Sequence, residues 1–245
     1  MKIKTKDTLL NLVVSRFEID EKTATSFIRE GKVIVNSEKL ILPSLQVRLD
    51  SKIELLQKEK YVSRGAYKLL EAIKKFNINV ENKICLDIGS STGGFVQVLL
   101  EHKAKKVYAN DVGTNQLDFK LRTNENVIVY EKTNLKNLDL SHFKEELDFI
   151  TCDVSFISLK HVFKVAKELL KSGKQIMALI KPQFEAISKY VEEGGFVKEE
   201  HHEYIINKVI NYAKENGFKL ISLEPSPILG LTSKNKEYIS LFEKE

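Results

Sequence analysis

The 245-residue sequence predicts an α/β protein with a Rossmann-like fold, preceded by a small α+β domain. From about residue 60 onward, predicted strands alternate with predicted helices, which is typical of a mainly parallel sheet with helices on both faces. No helical segment separates the last two of the seven predicted strands, which favours an antiparallel final strand. We therefore predict two domains, residues 1–58 and residues 59–245.

The first domain shows two helical patterns at residues 7–14 and 21–30, with Asp7 and Asp20 as expected N-caps and Gly31 as a helix stop. Short strand patterns follow at 32–35, 39–42 and 52–56. A segment of this size buries only a small core, so we interpret it as a binding module rather than an enzyme.

The second domain alternates regularly between the two kinds of element. Helices are expected at about 63–75, 93–102, 114–122, 158–171 and 199–216, with Ser63 and Ser158 as caps. Strands are expected at 83–88, 106–110, 127–130, 147–152, 175–180, 218–223 and 237–242.

Composition limits the possible classes of protein. The net charge is +5, and residues 1–60 supply +3 of it, with 12 Lys and Arg against 9 Asp and Glu; this permits a polyanionic partner without demanding one. Cys85 and Cys152 are isolated in apolar runs, so we expect reduced core thiols and no metal site. The sequence shows neither a signal-like segment nor a long apolar span. We therefore expect a cytoplasmic protein that does not associate with a membrane.

The strongest local signal is a strand that runs into a Gly/Ser loop and then into a helix, at residues 85–95. In a doubly wound sheet, this first turn lies where ligands bind. The candidate cofactor-binding residues here are Asp87, Gly89, Ser90, Ser91, Thr92, Gly93, Gly94 and Phe95.

A second acid, Asp111, ends the next strand and could accept hydrogen bonds from both hydroxyls of an adenosine ribose. That geometry suits NAD as well as S-adenosylmethionine, but the loop lacks the second glycine that admits a pyrophosphate. We therefore favour S-adenosylmethionine. Val112 and Asn134 are further candidates on the adenosine side, and Asp153 is expected beside the methyl group.

Several segments together resemble the TlyA family of ribosomal-RNA 2′-O-methyltransferases, which are also labelled hemolysins and are related to the heat-shock rRNA methyltransferases. They occur in the family's order and span essentially the whole chain: residues 61–69, 86–95, 110–117, 152–159, 180–185 and 226–228. The resemblance implies methyl transfer from S-adenosylmethionine to a cytidine ribose in rRNA, with the large subunit favoured.

The resemblance also implies a catalytic tetrad, carried over by motif to Lys68, Asp153, Lys181 and Glu237. The family's Gly-Asn-x-Glu pattern is altered here, because Lys234 replaces the glycine and the preceding segment has one apparent extra residue. We expect Lys181 to act as the base, Lys68 to stabilise an alkoxide or phosphate, and the two acids to orient the lysines.

The first domain resembles an RNA-binding domain of a small-subunit ribosomal protein, through residues 30–36 and Pro43. The usual basic Ser-Arg pair before the second helix is replaced here by Asp20-Glu21-Lys22. The expected partner is rRNA or a ribosomal subunit, and the candidate RNA contacts are Arg16, Arg29, Lys32, Lys39 and Arg64.

Three aromatic residues, Tyr67, Phe156 and Phe184, lie near the candidate catalytic positions. Such rings either stack on an unpaired base or belong to the core. Two alternatives for the whole protein remain: a non-catalytic RNA-binding assembly factor, and a membrane-lytic hemolysin. The sequence leaves the modified nucleotide and the oligomeric state open.

Overall fold

A computed structural model describes residues 5–56, 60–230 and 234–245 of the chain. The chain divides into two compact units, Met1–Lys60 and Tyr61–Glu245. Each unit has its own hydrophobic core.

The first unit packs two helices, α1 (Leu9–Phe17) and α2 (Glu21–Arg29), against short strands. Strand β1 pairs antiparallel with β4, and β2 lies between β3 and β5. The strands are β1 (Lys6–Thr8), β2 (Val33–Val35), β3 (Glu38–Lys39), β4 (Gln46–Arg48) and β5 (Ile53–Leu55). The sequence did not predict β1 and β4, because strands of three residues have almost no periodic signal.

One helix cap in this unit matches the sequence prediction and one does not. The Asp20 carboxylate accepts a hydrogen bond from the Thr23 amide at 2.9 Å and caps α2, as predicted. The cap of α1 is Thr8 rather than Asp7, because the helix begins at Leu9 and the Thr8 hydroxyl accepts a hydrogen bond from the Asn11 amide at 3.2 Å. The Asp7 side chain instead accepts a hydrogen bond from the Thr8 amide at 2.8 Å.

Arg16 joins α1 to the turn between β4 and β5. Its guanidinium donates hydrogen bonds to the Ser51 carbonyl at 2.7 Å and to the Leu49 carbonyl at 2.6 Å. A residue predicted to contact RNA therefore also has a structural role within its own unit.

The second unit is a seven-stranded sheet with the order β11-β12-β10-β9-β6-β7-β8. Only β12 runs antiparallel to its neighbours β10 and β11, and the pairs among β10, β9, β6, β7 and β8 are parallel. The predicted fold class is confirmed, including its final strand. The strands are β6 (Ile84–Ile88), β7 (Lys106–Asn110), β8 (Val127–Tyr130), β9 (Leu147–Cys152), β10 (Leu170–Ile180), β11 (Phe218–Pro225) and β12 (Tyr238–Lys244).

Helices cover both faces of this sheet, and each face has its own cluster of buried apolar side chains. One cluster includes residues of α3 and α4, and the other includes residues of α6 and α8. Cys85 and Cys152 are free and fully buried, as expected for core thiols. The helices are α3 (Ala66–Phe76), α4 (Gly94–Glu101), α5 (Phe119–Arg122), α6 (Leu159–Leu169), α7 (Pro182–Glu185) and α8 (His202–Glu215).

Two details of the helix prediction were wrong. The helix expected at 114–122 is only the single turn α5, because the amides of Asn115, Gln116 and Leu117 donate to the Glu131 carboxylate instead of to helical carbonyls. The N-cap of α3 is Gly65 rather than Ser63. Within the described ranges, none of the helices is long and apolar enough to cross a membrane.

Replacing Arg16 by alanine should loosen the turn between β4 and β5. Hydrogen bonds to a charged donor contribute about 1.5–3 kcal/mol in protein interiors, and exposure reduces this value. We therefore expect the free energy of local opening of this turn to fall by about 1 kcal/mol. Hydrogen exchange of the amides between residues 46 and 55 measures it. Arg29→Ala removes the same charge from the exposed face of α2 and should leave these rates unchanged; equal rates in both variants would contradict the structural role.

Candidate active site

A cleft of about 710 Å³ opens at the carboxyl edge of the large sheet. Parallel strands end at the same edge, so residues that follow different strands meet there. Residues at or just beyond the ends of β6, β9 and β10 line it, as does Glu237, which precedes the antiparallel β12. The cleft is therefore assembled from segments far apart in the sequence.

The four residues of the predicted tetrad meet in this cleft. Lys181 Nζ lies 2.5 Å from Asp153 Oδ1, and Lys68 Nζ lies 3.6 Å from the other oxygen of the same carboxylate. Lys68 Nζ also donates to Glu237 Oε2 at 2.7 Å. The result is a chain of alternating charge in the order Lys181, Asp153, Lys68, Glu237.

Three members of this chain are buried: Lys68 and Lys181 are 7% and 8% exposed, and Glu237 is 3% exposed. Buried charges of this kind persist only when they are paired. Glu237 reaches Lys68 despite the altered pattern before it, because the Glu237 carbonyl accepts from the Ser226 amide at 2.8 Å and the Asn235 carbonyl accepts from the Gly230 amide at 2.9 Å. The backbone pairing of the loop thus accommodates the extra residue.

Six of the eight predicted residues of the glycine loop line the cleft: Asp87, Gly89, Ser90, Ser91, Gly94 and Phe95. The other two, Thr92 and Gly93, do not line the cleft and pack against neighbouring segments instead. Thr92 donates through its hydroxyl to the Val62 carbonyl at 3.3 Å. Gly93 is the N-cap of α4, and a Cβ on it would lie 2.4 Å from a methyl group of Leu121.

Gly89 brings the glycine loop against Asp153. Its φ is +81°, and a Cβ there would lie 2.8 Å from the Asp153 carbonyl oxygen. An L side chain at this position would be strained and would also collide with backbone, so glycine is required. This close approach places the predicted cofactor loop directly beside the tetrad.

Asp87 has one carboxylate oxygen without a partner. Its Oδ1 accepts from the Thr151 hydroxyl at 2.7 Å, whereas Oδ2 is buried and receives no hydrogen bond from the described residues. Burial raises the pKa of Asp87 to about 7, with smaller contributions from Asp153 and Asp111. A free acceptor oxygen in an acidic cleft suits the ammonium group of an amino-acid tail, so these residues fit S-adenosylmethionine.

Asp111 organises the neighbouring loops. Its two oxygens accept from the Ser91 amide at 2.8 Å and the Gly113 amide at 2.7 Å, and each keeps a lone pair for a further donor. The two other predicted adenosine-side residues have different surroundings. Val112 is 70% exposed, and Asn134 caps the short 3₁₀ helix Leu135–Asn137 by accepting from the Lys136 amide at 3.0 Å.

Phe156 is an exposed aromatic residue with an unusual backbone. Its side chain is 91% exposed and its φ is +63°, a conformation that is strained for a bulky residue. Its ring lies 5.0 Å from that of Phe184, and both residues line the cleft. Phe156 is therefore not a core residue; Tyr67 is 40% exposed and lies edge-on to Tyr61.

The predicted RNA contacts have varied surroundings. Arg64 lines the cleft. In the first unit, Arg29 is exposed on α2, Lys32 pairs with Glu30, and the Lys39 side chain packs over Gly31. No group of acids, histidines or cysteines in the described part of the chain could hold a metal ion.

Comparison with protein families identifies the class of the second unit. The model for FtsJ-like methyltransferases matches residues 61–244, which is all but the last residue of the second unit. The chain belongs to the FtsJ-like methyltransferase family. This membership confirms the predicted enzyme class and overturns the NAD-dependent alternative.

Relatives of this methyltransferase span both units. The TlyA 23S rRNA (cytidine-2′-O)-methyltransferase of Campylobacter jejuni is 36% identical, over 99% of this chain and 91% of the relative. The TlyA 16S/23S rRNA (cytidine-2′-O)-methyltransferase of Mycobacterium tuberculosis is 35% identical, over 88% and 81%. A Lactococcus lactis protein of known crystal structure, described as a hemolysin, is 44% identical in sequence. The match covers 77% of this chain and 90% of that one, with a TM-score of 0.74. The predicted resemblance to TlyA is confirmed.

Sequence reasoning missed two acids that hold loops of the second unit in place, Glu131 and Glu185. The Glu131 carboxylate accepts from the amides of Asn115, Gln116 and Leu117 at 2.7, 2.9 and 3.1 Å, and also from Arg122. Burial opposes ionisation, but these donors together lower the pKa of Glu131. Nothing in the local sequence distinguishes Glu131 from a surface acid.

Glu185 was seen only as part of a motif. It is 3% exposed and accepts from the Ser158 hydroxyl at 2.7 Å and the Leu159 amide at 2.6 Å, at the start of α6. Burial raises the pKa of Glu185. The contact ties the segment after Lys181 to the segment after Asp153.

The protonation of Asp87 should make the stability of the protein depend on pH. A carboxyl with a pKa of 3.8 when unfolded and about 7 when folded keeps a proton in the native state between these values. Its contribution to stability therefore falls as the pH rises from about 4 to about 7. The free energy of unfolding, measured without cofactor at pH 5 and pH 8, should fall more steeply in wild type than in Asp87→Asn. If the free energy of unfolding falls equally in both proteins, the raised pKa of Asp87 is refuted.

Glu131→Gln should weaken cofactor binding. The neutral amide keeps one acceptor oxygen but loses the charge that holds three backbone amides and Arg122. We expect the Kd for S-adenosylmethionine in calorimetry to rise about tenfold, equivalent to about 1.4 kcal/mol. Glu125→Gln, a nearby exposed acid, is the matched control. An unchanged Kd in Glu131→Gln would show that this loop does not shape the cofactor site.

Proposed function

We propose that this methyltransferase uses S-adenosylmethionine to methylate the 2′-hydroxyl of a cytidine in ribosomal RNA. The observation that carries the proposal is the alternating chain Lys181, Asp153, Lys68 and Glu237, which lies in one cleft with the glycine loop. The two TlyA relatives are named for the same reaction.

The bound cofactor supplies a methyl group that is already activated by the sulfonium. A ribose hydroxyl is a poor nucleophile at neutral pH, so the protein must align it with that methyl group and accept its proton. The lysines of the tetrad are buried on the wall of the cleft, where water is restricted and charges interact strongly.

Their ion pairs distinguish the two lysines. Among the described residues, Lys68 Nζ has two carboxylates as neighbours, at 2.7 and 3.6 Å, whereas Lys181 Nζ has one, at 2.5 Å, and the Ser155 hydroxyl at 3.2 Å. Loss of its proton would cost Lys68 two ion pairs but Lys181 only one. This asymmetry supports Lys181 as the base and Lys68 as the fixed charge that stabilises the developing alkoxide.

Asp153 would orient both lysines, because each of its oxygens faces one of them. Glu237 would hold Lys68 from the opposite side. The cofactor would lie along the glycine loop, with its ammonium group near Asp87, its ribose near Asp111, and its adenine near Val112 and Asn134.

The acceptor cytosine would stack on Phe156. The ring is exposed beside the cleft, and stacking on an aromatic side chain is the usual way to hold an unpaired base. Burial of that ring under a base would also explain why a strained conformation is retained. Arg64 in the cleft and Arg29, Lys32 and Lys39 in the first unit are the proposed phosphate contacts.

The substrate is proposed to be large-subunit rRNA, and the place of action the cytoplasm, where ribosomes are assembled. One TlyA relative is named for 23S rRNA alone and the other for both 16S and 23S rRNA. Incubating each purified, unmodified subunit with labelled S-adenosylmethionine distinguishes these cases.

Arginine substitutions separate the two lysine roles. Arginine keeps the positive charge but cannot act as a base near neutral pH. We expect Lys181→Arg to reduce labelled methyl transfer by at least about 10²-fold, the usual contribution of a general base, and Lys68→Arg to retain more activity. The measurement is transfer to ribose in the methylated subunit, with the Kd for S-adenosylmethionine measured in parallel to show that each variant still binds the cofactor.

If Lys68→Arg loses more activity than Lys181→Arg, then Lys68 is the base and Lys181 is the fixed charge. Wild-type protein that binds S-adenosylmethionine and rRNA but transfers no label to either subunit would favour the non-catalytic assembly factor. Lysis of erythrocytes by the purified protein, unaffected by Lys181→Arg, would favour the membrane-lytic alternative.

A further inference from the structure

The cleft has a second wall that the catalytic mechanism does not use. Gly194 and Gly195 line it, together with Ile228 and Leu229. These residues lie at the β12 end of the cleft, because Gly195 bonds to Asn235, just before that strand. The glycine loop lies at the β6 end. The order of the sheet therefore puts this wall on the side of the tetrad away from the predicted cofactor.

The wall is fixed to the strand that follows Glu237. The Asn235 side chain is fully buried; its amide donates to the Gly195 carbonyl at 2.8 Å, and its oxygen accepts from the Val197 amide at 2.9 Å. One side chain thus holds the backbone on both sides of Phe196. An asparagine is required for this geometry, because it offers a donor and an acceptor on the same short side chain.

Further contacts hold the same segment in place. His202 bridges the Val197 carbonyl, at 3.1 Å, and the Tyr238 hydroxyl, at 2.9 Å. Lys236 also donates to Glu199 at 3.1 Å, but this pair is exposed and contributes little to holding the segment. Residues 235, 236 and 238 therefore all contact the segment 195–202, while Glu237 between them points to Lys68.

The two glycines leave the wall without side chains. Both have positive φ, +76° and +79°, and a Cβ on either would meet no atom of the described residues within 4 Å. The space in front of them is open, so a ligand can approach the backbone closely.

We infer that Asn235 is a positioning residue that holds the Gly194–Gly195 turn as the wall against which the acceptor nucleotide lies. The inference rests on the proposed function and adds an element of substrate recognition to it. Asn235 acts through the turn and does not itself contact the reacting atoms. Its loss should therefore impair acceptance of RNA more than the chemical step or cofactor binding.

The test compares Asn235→Ala with Lys236→Ala, which removes only the surface pair with Glu199 next to it. The substrate is the unmodified ribosomal subunit that the wild type methylates. We expect Asn235→Ala to raise KM for the subunit about tenfold, because two buried hydrogen bonds are lost, and to change kcat by less than about threefold. The Kd for S-adenosylmethionine should stay at the wild-type value, and Lys236→Ala should match the wild type throughout.

Gly195→Ala provides a second variant, because it leaves the Asn235 side chain intact but adds a methyl group to the wall and strains the turn, whose φ of +79° at this position favours glycine. If Asn235→Ala does not fold, Gly195→Ala tests whether the turn contributes to acceptance of RNA. It should also raise KM for the subunit without changing the Kd for S-adenosylmethionine. An unchanged KM in a folded Asn235→Ala protein overturns the inference. So does a joint loss of kcat and cofactor affinity, which would mean that Asn235 only supports Glu237.

The inference and the proposed function fail in distinguishable ways. If the wild type transfers no methyl group, the proposed reaction is wrong, and the Kd of the two variants for fluorescently labelled rRNA still tests the wall. Weaker binding by Asn235→Ala than by Lys236→Ala then supports the inference, and equal binding overturns it.

Discussion

The arrangement of the site depends on one carboxylate that is shared by two lysines. Asp153 follows β9, which lies between the strand that carries Asp87 and the strand that precedes Lys181. It faces Lys181 with one oxygen and Lys68 with the other. Two ammonium groups that approach one another in a partly buried cleft repel each other unless a negative charge lies between them. Asp153 supplies that charge, and Glu237 supplies a second one for Lys68.

Two further carboxylates, the buried one of Glu185 and the partly buried one of Glu131, hold loops of the same unit in place. Glu131 binds three consecutive amides of the segment before α5, and Glu185 binds the start of α6. In both places an acid satisfies backbone donors that water would otherwise have to reach. A single side chain thereby determines where a loop beside the cleft lies, with little support from regular secondary structure.

Much of the fold was predictable because its signals are local. The alternation of apolar strands with amphipathic helices predicted the sheet and its antiparallel last strand, and both are observed. The single turn α5 was mispredicted as a longer helix for a tertiary reason. Glu131, distant from it in sequence, takes the amides that a helix would have used.

The site was predictable to a different degree. The residue types of Lys68, Asp153, Lys181 and Glu237 could be identified from motifs, because each motif is a short contiguous pattern. The partners of Asn235, Glu131 and Glu185 could not, because hydrogen-bond geometry depends on the paths of several loops. The exposure of Phe156 was likewise undecided, since an aromatic residue in an apolar context fits a core equally well.

By itself, the sequence determined the class of fold and the glycine loop after the first strand of the large sheet. Through its resemblance to a known family, it also indicated the four residues that are proposed to carry methyl transfer. These depend on periodicity and on short motifs, which are properties of neighbouring residues. Only the tertiary structure decided which lysine has two carboxylates and which has one, and which backbone forms the far wall of the cleft. Those properties depend on distances between segments that meet only when the sheet brings its strand ends together.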